Sequence, residues 1–258
     1  MLKHCFIALL VIVTLALSGP AAAAPLSAGE AMNMTGLQRS LVQRMTKNYL
    51  MIGADVRVEK ARSQLQESVT QFDYAHKALS LYSPNPAIKM KLDEIGQIWS
   101  VFHKQVTALP DQAQAAALLV NSERLLKSSQ ELTDLMASHV GSMGKVVNRS
   151  GWARVQSQRI AMLYMAKAWR VQAPELDAKL DIAVADFDQI LKELEARPVP
   201  NEQVATSLRR VRANWAFTLK GIDLHATSAF VPTSIAVSTD SLFRHMNELT
   251  RLYAGLQT

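Results

Sequence analysis

Apolar residues recur along this chain at the three- and four-residue spacing of helices, and nothing alternates with period two for long enough to make a strand. In the first half an opening helix is expected from about Ala28 to the high fifties, and a second from about Val58 to Leu81. Ser83-Pro84-Asn85-Pro86 stops the second, because proline disfavours helix in the residue before it. A third is expected over Ala87 to Ala108, closed by Pro110, and a fourth from Asp111, a suitable N-cap, to about His139. In the second half the breaks fall at Pro174, at Pro198 and Pro200, and at Pro232. The fold class is therefore all-α.

The two halves also match one another. At a shift of 115 residues Asn33 falls on Asn148, Thr35 on Ser150, Gly36 on Gly151 and Arg39 on Arg154. At the same shift Gln43 falls on Gln158, Arg44 on Arg159, Tyr49 on Tyr164, and Phe72-Asp73 on Phe187-Asp188. Trp99 meets Trp215 at 116, and Glu131-Leu132-Thr133 meets Glu248-Leu249-Thr250 at 117. Small, growing offsets are what short loop insertions produce. The expected architecture is two tandem up-down four-helix bundles, residues 27–143 and 144–258, each helix burying its apolar stripe. The junction leaves two arrangements open. Without proline from Ser138 to Ser150, the fourth helix either runs into the fifth and stacks the bundles end to end, or breaks at Gly141 or Gly144 and lets them lie side by side.

The N-terminus has the form of a cleaved secretory signal over residues 1–24. Lys3 and His4 precede an apolar run from Phe6 to Leu17, followed by Ser18-Gly19-Pro20 and the small residues Ala21 to Ala24. A run of about 12 residues is too short to cross a bilayer, which takes roughly 20. This places the rest of the chain in the periplasm. Cys5, the one cysteine, lies in that segment, so no disulfide, thiol nucleophile or thiolate metal site is expected beyond it. The net charge of +6 is spread without a Lys/Arg run. A mild excess of this kind suits small anions or an acidic partner better than nucleic acid.

Candidate chemistry concentrates in the opening helices. At 100° per residue Met34, Leu37, Leu41, Met45 and Ile52 share one face, expected to look into the bundle. Gly36, Arg39, Gln43 and Thr46 share the opposite face, with Arg44 at the edge of the apolar stripe. A polar face is ordinarily a solvated one. Its repetition, with a glycine three residues before the first arginine each time, favours another purpose. Glycine costs about 0.5–1 kcal/mol against alanine in a helix, so its placement implies close approach of a backbone or a ligand. Arginine offers a planar fork of donors matched to oxyanions. A small ion makes few contacts, so affinity on the order of micromolar to millimolar is expected.

The pattern G-x-x-R-x-x-x-Q-R, in a helix after Asn, resembles the periplasmic P-box of nitrate/nitrite-sensing histidine kinases. It is also similar to the PilJ-type N-terminal sensor module of type IV pili methyl-accepting chemotaxis transducers. The resemblance implies a helical bundle whose opening helices pair across a two-fold axis, with one nitrate or nitrite held between the first motif arginines. It makes Arg39 and Arg154 the direct ligand candidates, with Arg44, Arg159, Gln43 and Gln158 supporting and Gly36 and Gly151 permitting close approach. No kinase or methyl-accepting region is recognisable in the sequence, so a separate membrane-bound or periplasmic partner is expected to read the ligand state. If the two halves stack end to end, each motif requires a second chain, hence a homodimer.

Other features point to packing. His4, His76, His103, His139, His225 and His245 show no metal-ligand spacing, Met162 to Met165 read as core filler, and the absence of C-x-x-C-H excludes covalent haem. No cofactor is implied. Asp73 and Asp188 are expected to partner helix-borne arginines, and Trp99 and Trp215 to pack in the core. With no nucleophile elbow, phosphate loop or carboxylate pair, an enzyme is not expected. The rival to an anion sensor is a structural adaptor that recognises a membrane partner through the same helix face.

Overall fold

The computed structural model describes residues 26–226 and 231–256. The signal segment read from residues 1–24, with Cys5, lies outside the described residues. Eight helices follow in order: α1 (Ala28–Gly53), α2 (Val58–Tyr82), α3 (Pro86–Val106), α4 (Gln112–Val140), α5 (Ser142–Ala168), α6 (Leu176–Glu195), α7 (Glu202–Ala226) and α8 (Pro232–Gly255). No helix among the described residues is long and apolar enough to cross a membrane.

Local chemistry sets most of the ends. Ser27 and Glu30 form a reciprocal capping box at the start of α1. Asn85 caps α3, which has a proline in its first turn, and Asp111 caps α4 through the backbone N–H of Ala113 at 2.9 Å. The opening helix stops at Gly53, short of the expected high fifties, because Asp55 and Arg57 adopt the left-handed backbone of a tight turn. Between α4 and α5 the chain breaks at Gly141, whose φ of +89° suits glycine, and α5 folds back. Of the two junctions the sequence left open, the side-by-side one is found.

Helices α1 and α5 occupy the centre. Helix α1 packs on α2, α4, α5 and α8, and α5 packs on α1, α4, α6 and α8. Their contacts advance in the same direction along both helices, from Gly36 against Gly151 to Tyr49 against Trp169, so the two run parallel. The buried apolar residues of all eight helices join in one continuous core rather than two separate ones. This placement corrects the expected helix face. Leu41 and Met45 are buried as expected, but Met34, Leu37 and Ile52 are only half-buried, and Gly36, Arg39, Gln43 and Thr46 are fully enclosed. The amphipathic rule assumes a solvent side, and a central helix has none. The polar stripe of α1 faces α5 at Gly36 and bonds to α4 through Arg39, Gln43 and Thr46.

Around this pair the packing is regular. Trp99 stacks on Phe72 with ring centroids 4.2 Å apart, and Trp215 lies tilted against Phe187 at 4.4 Å. Their indole N–H groups donate to Asp73 at 2.8 Å and Asp188 at 3.0 Å. Asp188 also takes Arg212 at 3.3 Å, as expected, but Asp73 serves the tryptophan instead of an arginine. The Tyr49 and Tyr164 hydroxyls accept the backbone N–H groups of Asp111 and Val231, tying α1 and α5 to the starts of α4 and α8. Met162 and Met165 are core residues.

Gly53 tests how tightly the lower end is packed. A Cβ there would meet Trp169 Cη2 and Cζ2 at 2.3 Å, in a ring already edge-on to Tyr49. Gly53→Ala is therefore expected to destabilise the protein by about 1–3 kcal/mol, overriding the usual helix gain of alanine. Urea unfolding measures it.

Candidate functional site

The buried polar stripe of α1 meets that of α5 at Gly36 and Gly151. A methyl placed on Gly36 would lie 2.7 Å from Arg154 Nη2 and 3.4 Å from Arg39 Nη2, and one on Gly151 would lie 3.3 Å from each. The two guanidinium groups therefore converge on one small volume, over backbone that only glycine leaves open. Both arginines are fully buried.

Their partners are almost all neutral. Arg39 Nη1 donates to Gln130 Oε1 on α4, and the guanidinium lies 5.4 Å from the centre of the Trp152 ring. Arg154 Nη1 donates to Asn33 Oδ1 at 2.9 Å and Asn247 Oδ1 at 2.8 Å, and its Nη2 to the Asn33 carbonyl at 3.2 Å. Arg39 Nε, Arg39 Nη2 and Arg154 Nε have no hydrogen-bond partner among the described residues. Among the described residues neither guanidinium touches a carboxylate. Asp134 favours the charge on Arg39 only through space, and accepts instead from Gln130 Nε2 at 2.8 Å and Asn148 Nδ2 at 3.3 Å. Burial pushes the Arg39 guanidinium down from its ordinary value to about 9. Burial, then repulsion from Arg39, does the same to Arg154.

Such an arrangement is costly without a counter-charge. Buried cations are ordinarily paired, and buried donors ordinarily bonded. An oxyanion between the forks would supply acceptors for the free Nη2 and Nε donors and neutralise the repulsion. A cavity of about 380 Å³, lined by Arg39, Gln130, Lys145, Asn148, Arg149 and Trp152, adjoins the pair on the Arg39 side.

The remaining residues singled out from sequence lie a turn or more further along. Arg44 pairs with Glu67 at 3.1 Å and lies 5.2 Å from the Phe243 ring centre; Arg159 pairs with Glu123 at 2.5 Å and reaches Gln43 Oε1 at 3.4 Å. Gln43 donates to Ser122, and Gln158 to the Thr239 carbonyl. The structure thus brings Arg39, Arg154, Gly36 and Gly151 together, and gives Arg44, Arg159, Gln43 and Gln158 partners on neighbouring helices.

The family of type IV pili methyl-accepting chemotaxis transducer N-terminal (PilJ) domains matches residues 23–125 and 136–229. The chain belongs to this PilJ family. Comparison with curated proteins and with solved structures yields no match. PilJ-type domains are helical sensor domains without catalytic activity, so the protein is not an enzyme. Among the described residues no group of three His, Cys, Asp or Glu side chains is placed to hold a metal.

Beyond the motif, sequence reasoning passed over several residues of this PilJ-type chain. Asn33 and Asn148 stood inside the repeated segment, and Gln130 and Asn247 stand immediately before the matched Glu-Leu-Thr triplets, so their signal was present but unused. A second cluster had no such signal. Fully buried Lys47 donates to Asp240 Oδ1 on α8 at 2.5 Å, and Gln64 Nε2 on α2 donates to the other carboxylate oxygen at 2.8 Å. It ties both halves of the chain together one helical region below the arginine pair.

Proposed function

We propose that the protein is a periplasmic sensor module, a tandem duplication of one PilJ-type helical unit, that binds a small oxyanion of the nitrate or nitrite class between Arg39 and Arg154. The observation that carries this reading is the convergence of two fully buried guanidinium groups that no carboxylate of the described residues touches. The ordered series of matches between the halves, and a family match in two stretches of similar length, support the duplication. Because α1 and α5 pair within one chain, both arginines are supplied without a homodimer.

The mechanism follows from electrostatics. Like charges held this close repel by roughly 2–4 kcal/mol at an effective dielectric near 20. An anion between them replaces repulsion with two charge-assisted contacts and favours a closer pairing of α1 with α5. Because α4 and α8 contact that pair, its spacing is transmitted to the outer helices, where a separate signalling partner reads it.

Isothermal titration with nitrate, nitrite, sulfate and chloride tests the proposal. Binding to at least one oxyanion, lost on replacing both arginines, is expected; absence of heat with all four rejects it and favours an adaptor. The pH profile adds a second check. The bound anion favours the charged arginines, so affinity is flat below about pH 9, the value set by burial, and falls as pH rises through it. Affinity at pH 10 is expected to be roughly tenfold or more below that at pH 7.5.

A further inference from the structure

The two sides of the arginine pair are not equivalent, and the difference bears on how a ligand reaches it. Arg154 commits three donor contacts to Asn33 and Asn247. Arg39 commits one, to Gln130, leaving Nη2 and Nε open. Asn148, 115 positions after Asn33, does not close over Arg39 as Asn33 closes over Arg154. Its amide is turned to Asp134, and its Oδ1 is buried without a partner.

The walls differ as well. Lys145, Arg149 and Trp152 line the cavity on the Arg39 side. Counting back 115 positions, the corresponding residues are Glu30, Met34 and Leu37. Arg149 is neutralised by Glu193 at 2.6 Å and Asp186 at 3.7 Å, whereas Lys145 is exposed and pairs with no carboxylate among the described residues. Glu30 instead places a carboxylate at the start of α1, bonded to Ser27. The cavity beside Asn247, about 460 Å³, is lined by Arg44, Lys60 and Arg244 as well as by Glu67 and Asp240, and Arg154 is not among its lining residues. The two sides thus differ in the fork they present: Arg39 lines its cavity with donors open, whereas Arg154 does not reach the cavity beside Asn247.

We infer that the anion reaches the pair from one side only, through the cavity beside Arg39, and that Lys145 is a further ligand-contacting residue. Arg39 meets the ligand with its open Nη2 and Nε, and Arg154 adds charge from behind. A cavity at the lower end of the range for small-ligand sites admits a hydrated inorganic oxyanion with room to spare. This inference rests on the anion-binding reading proposed above.

The test compares nitrate and sulfate titrations of the full protein with those of Lys145→Glu and Glu30→Gln. Lys145 is exposed and unpaired, and glutamine retains the capping bond of Glu30, so both variants should unfold at the wild-type temperature. The expected result is affinity at least tenfold weaker in Lys145→Glu and within twofold of wild type in Glu30→Gln. Wild-type binding that Lys145→Glu leaves within twofold, or that Glu30→Gln alters as strongly, overturns one-sided access while the anion site itself stands. No binding of either anion by the wild type overturns both.

Discussion

Asp240→Ala is expected to cost about 3–5 kcal/mol of folding stability, because it strands Lys47 as an uncompensated charge inside the protein. Lys47 is fully buried, and among the described residues Asp240 is its only carboxylate contact. Burial holds the Lys47 ammonium below its ordinary range despite the attraction of Asp240. For Asp240 burial works the other way, raising its pKa, but Lys47, Gln64 and Arg44 outweigh it and the carboxyl sits below its usual value. The aspartate is thus the better compensated partner and the lysine the one exposed to harm. With total stabilities of about 5–15 kcal/mol typical, such a loss unfolds a sizeable share of molecules near physiological temperature. Joint replacement, Lys47→Met with Asp240→Leu, should recover most of it, since a buried pair exchanged for apolar groups is often neutral. The sign with pH also follows. Asp240 has a depressed folded-state pKa, so its contribution is present above the ordinary carboxylate range and is lost as pH falls through the folded value. Urea unfolding of the two variants, at neutral and acid pH, measures all three effects.

The arginine pair should behave in the opposite sense. Replacing Arg39 and Arg154 together by methionine is expected to stabilise the protein by about 1–3 kcal/mol in a buffer whose anion is too bulky to enter. Two desolvated like charges are removed, and an unbranched side chain fills their space. The gain is trimmed because the amide oxygens of Gln130, Asn33 and Asn247 lose their donor. Adding nitrate or nitrite should raise the unfolding temperature of the wild type and leave that of the double variant unchanged. A residue pair that lowers stability without ligand and raises it with ligand belongs to a binding site. Equal destabilisation of the double variant in every buffer would mark the pair as structural.

How much of this was legible in the sequence depended on the range of the interaction. Most helix ends were readable because the prolines and Asp111 act on their own neighbours, whereas the break at Gly141 was one of two open arrangements. Arg39 and Arg154 were readable because the same spacing after Gly36 and Gly151 occurs in both halves. The face they occupy was misjudged, since a one-helix pattern carries no mark of being central. The remainder lay in contacts between distant segments. Lys47 and Asp240 are 193 positions apart, and neither sits in a pattern that points to the other. Gln130 and Asn247 reach the arginines across 91 and 93 positions. The contrast between Lys145 and Glu30 has meaning only once α5 is known to lie parallel to α1.

The most direct test of the central claim watches the two guanidinium groups themselves. Arg39 Nε and Arg154 Nε are buried without partners, so their N–H protons should exchange slowly and give resolved Nε–Hε resonances in ¹⁵N-labelled protein, assigned through Arg39→Lys and Arg154→Lys. On titration with nitrate or nitrite at neutral pH both resonances are predicted to move together and saturate, while those of exposed arginines such as Arg209 stay in place. Resonances of Arg39 and Arg154 that remain fixed while either anion is raised to tens of millimolar would contradict the account.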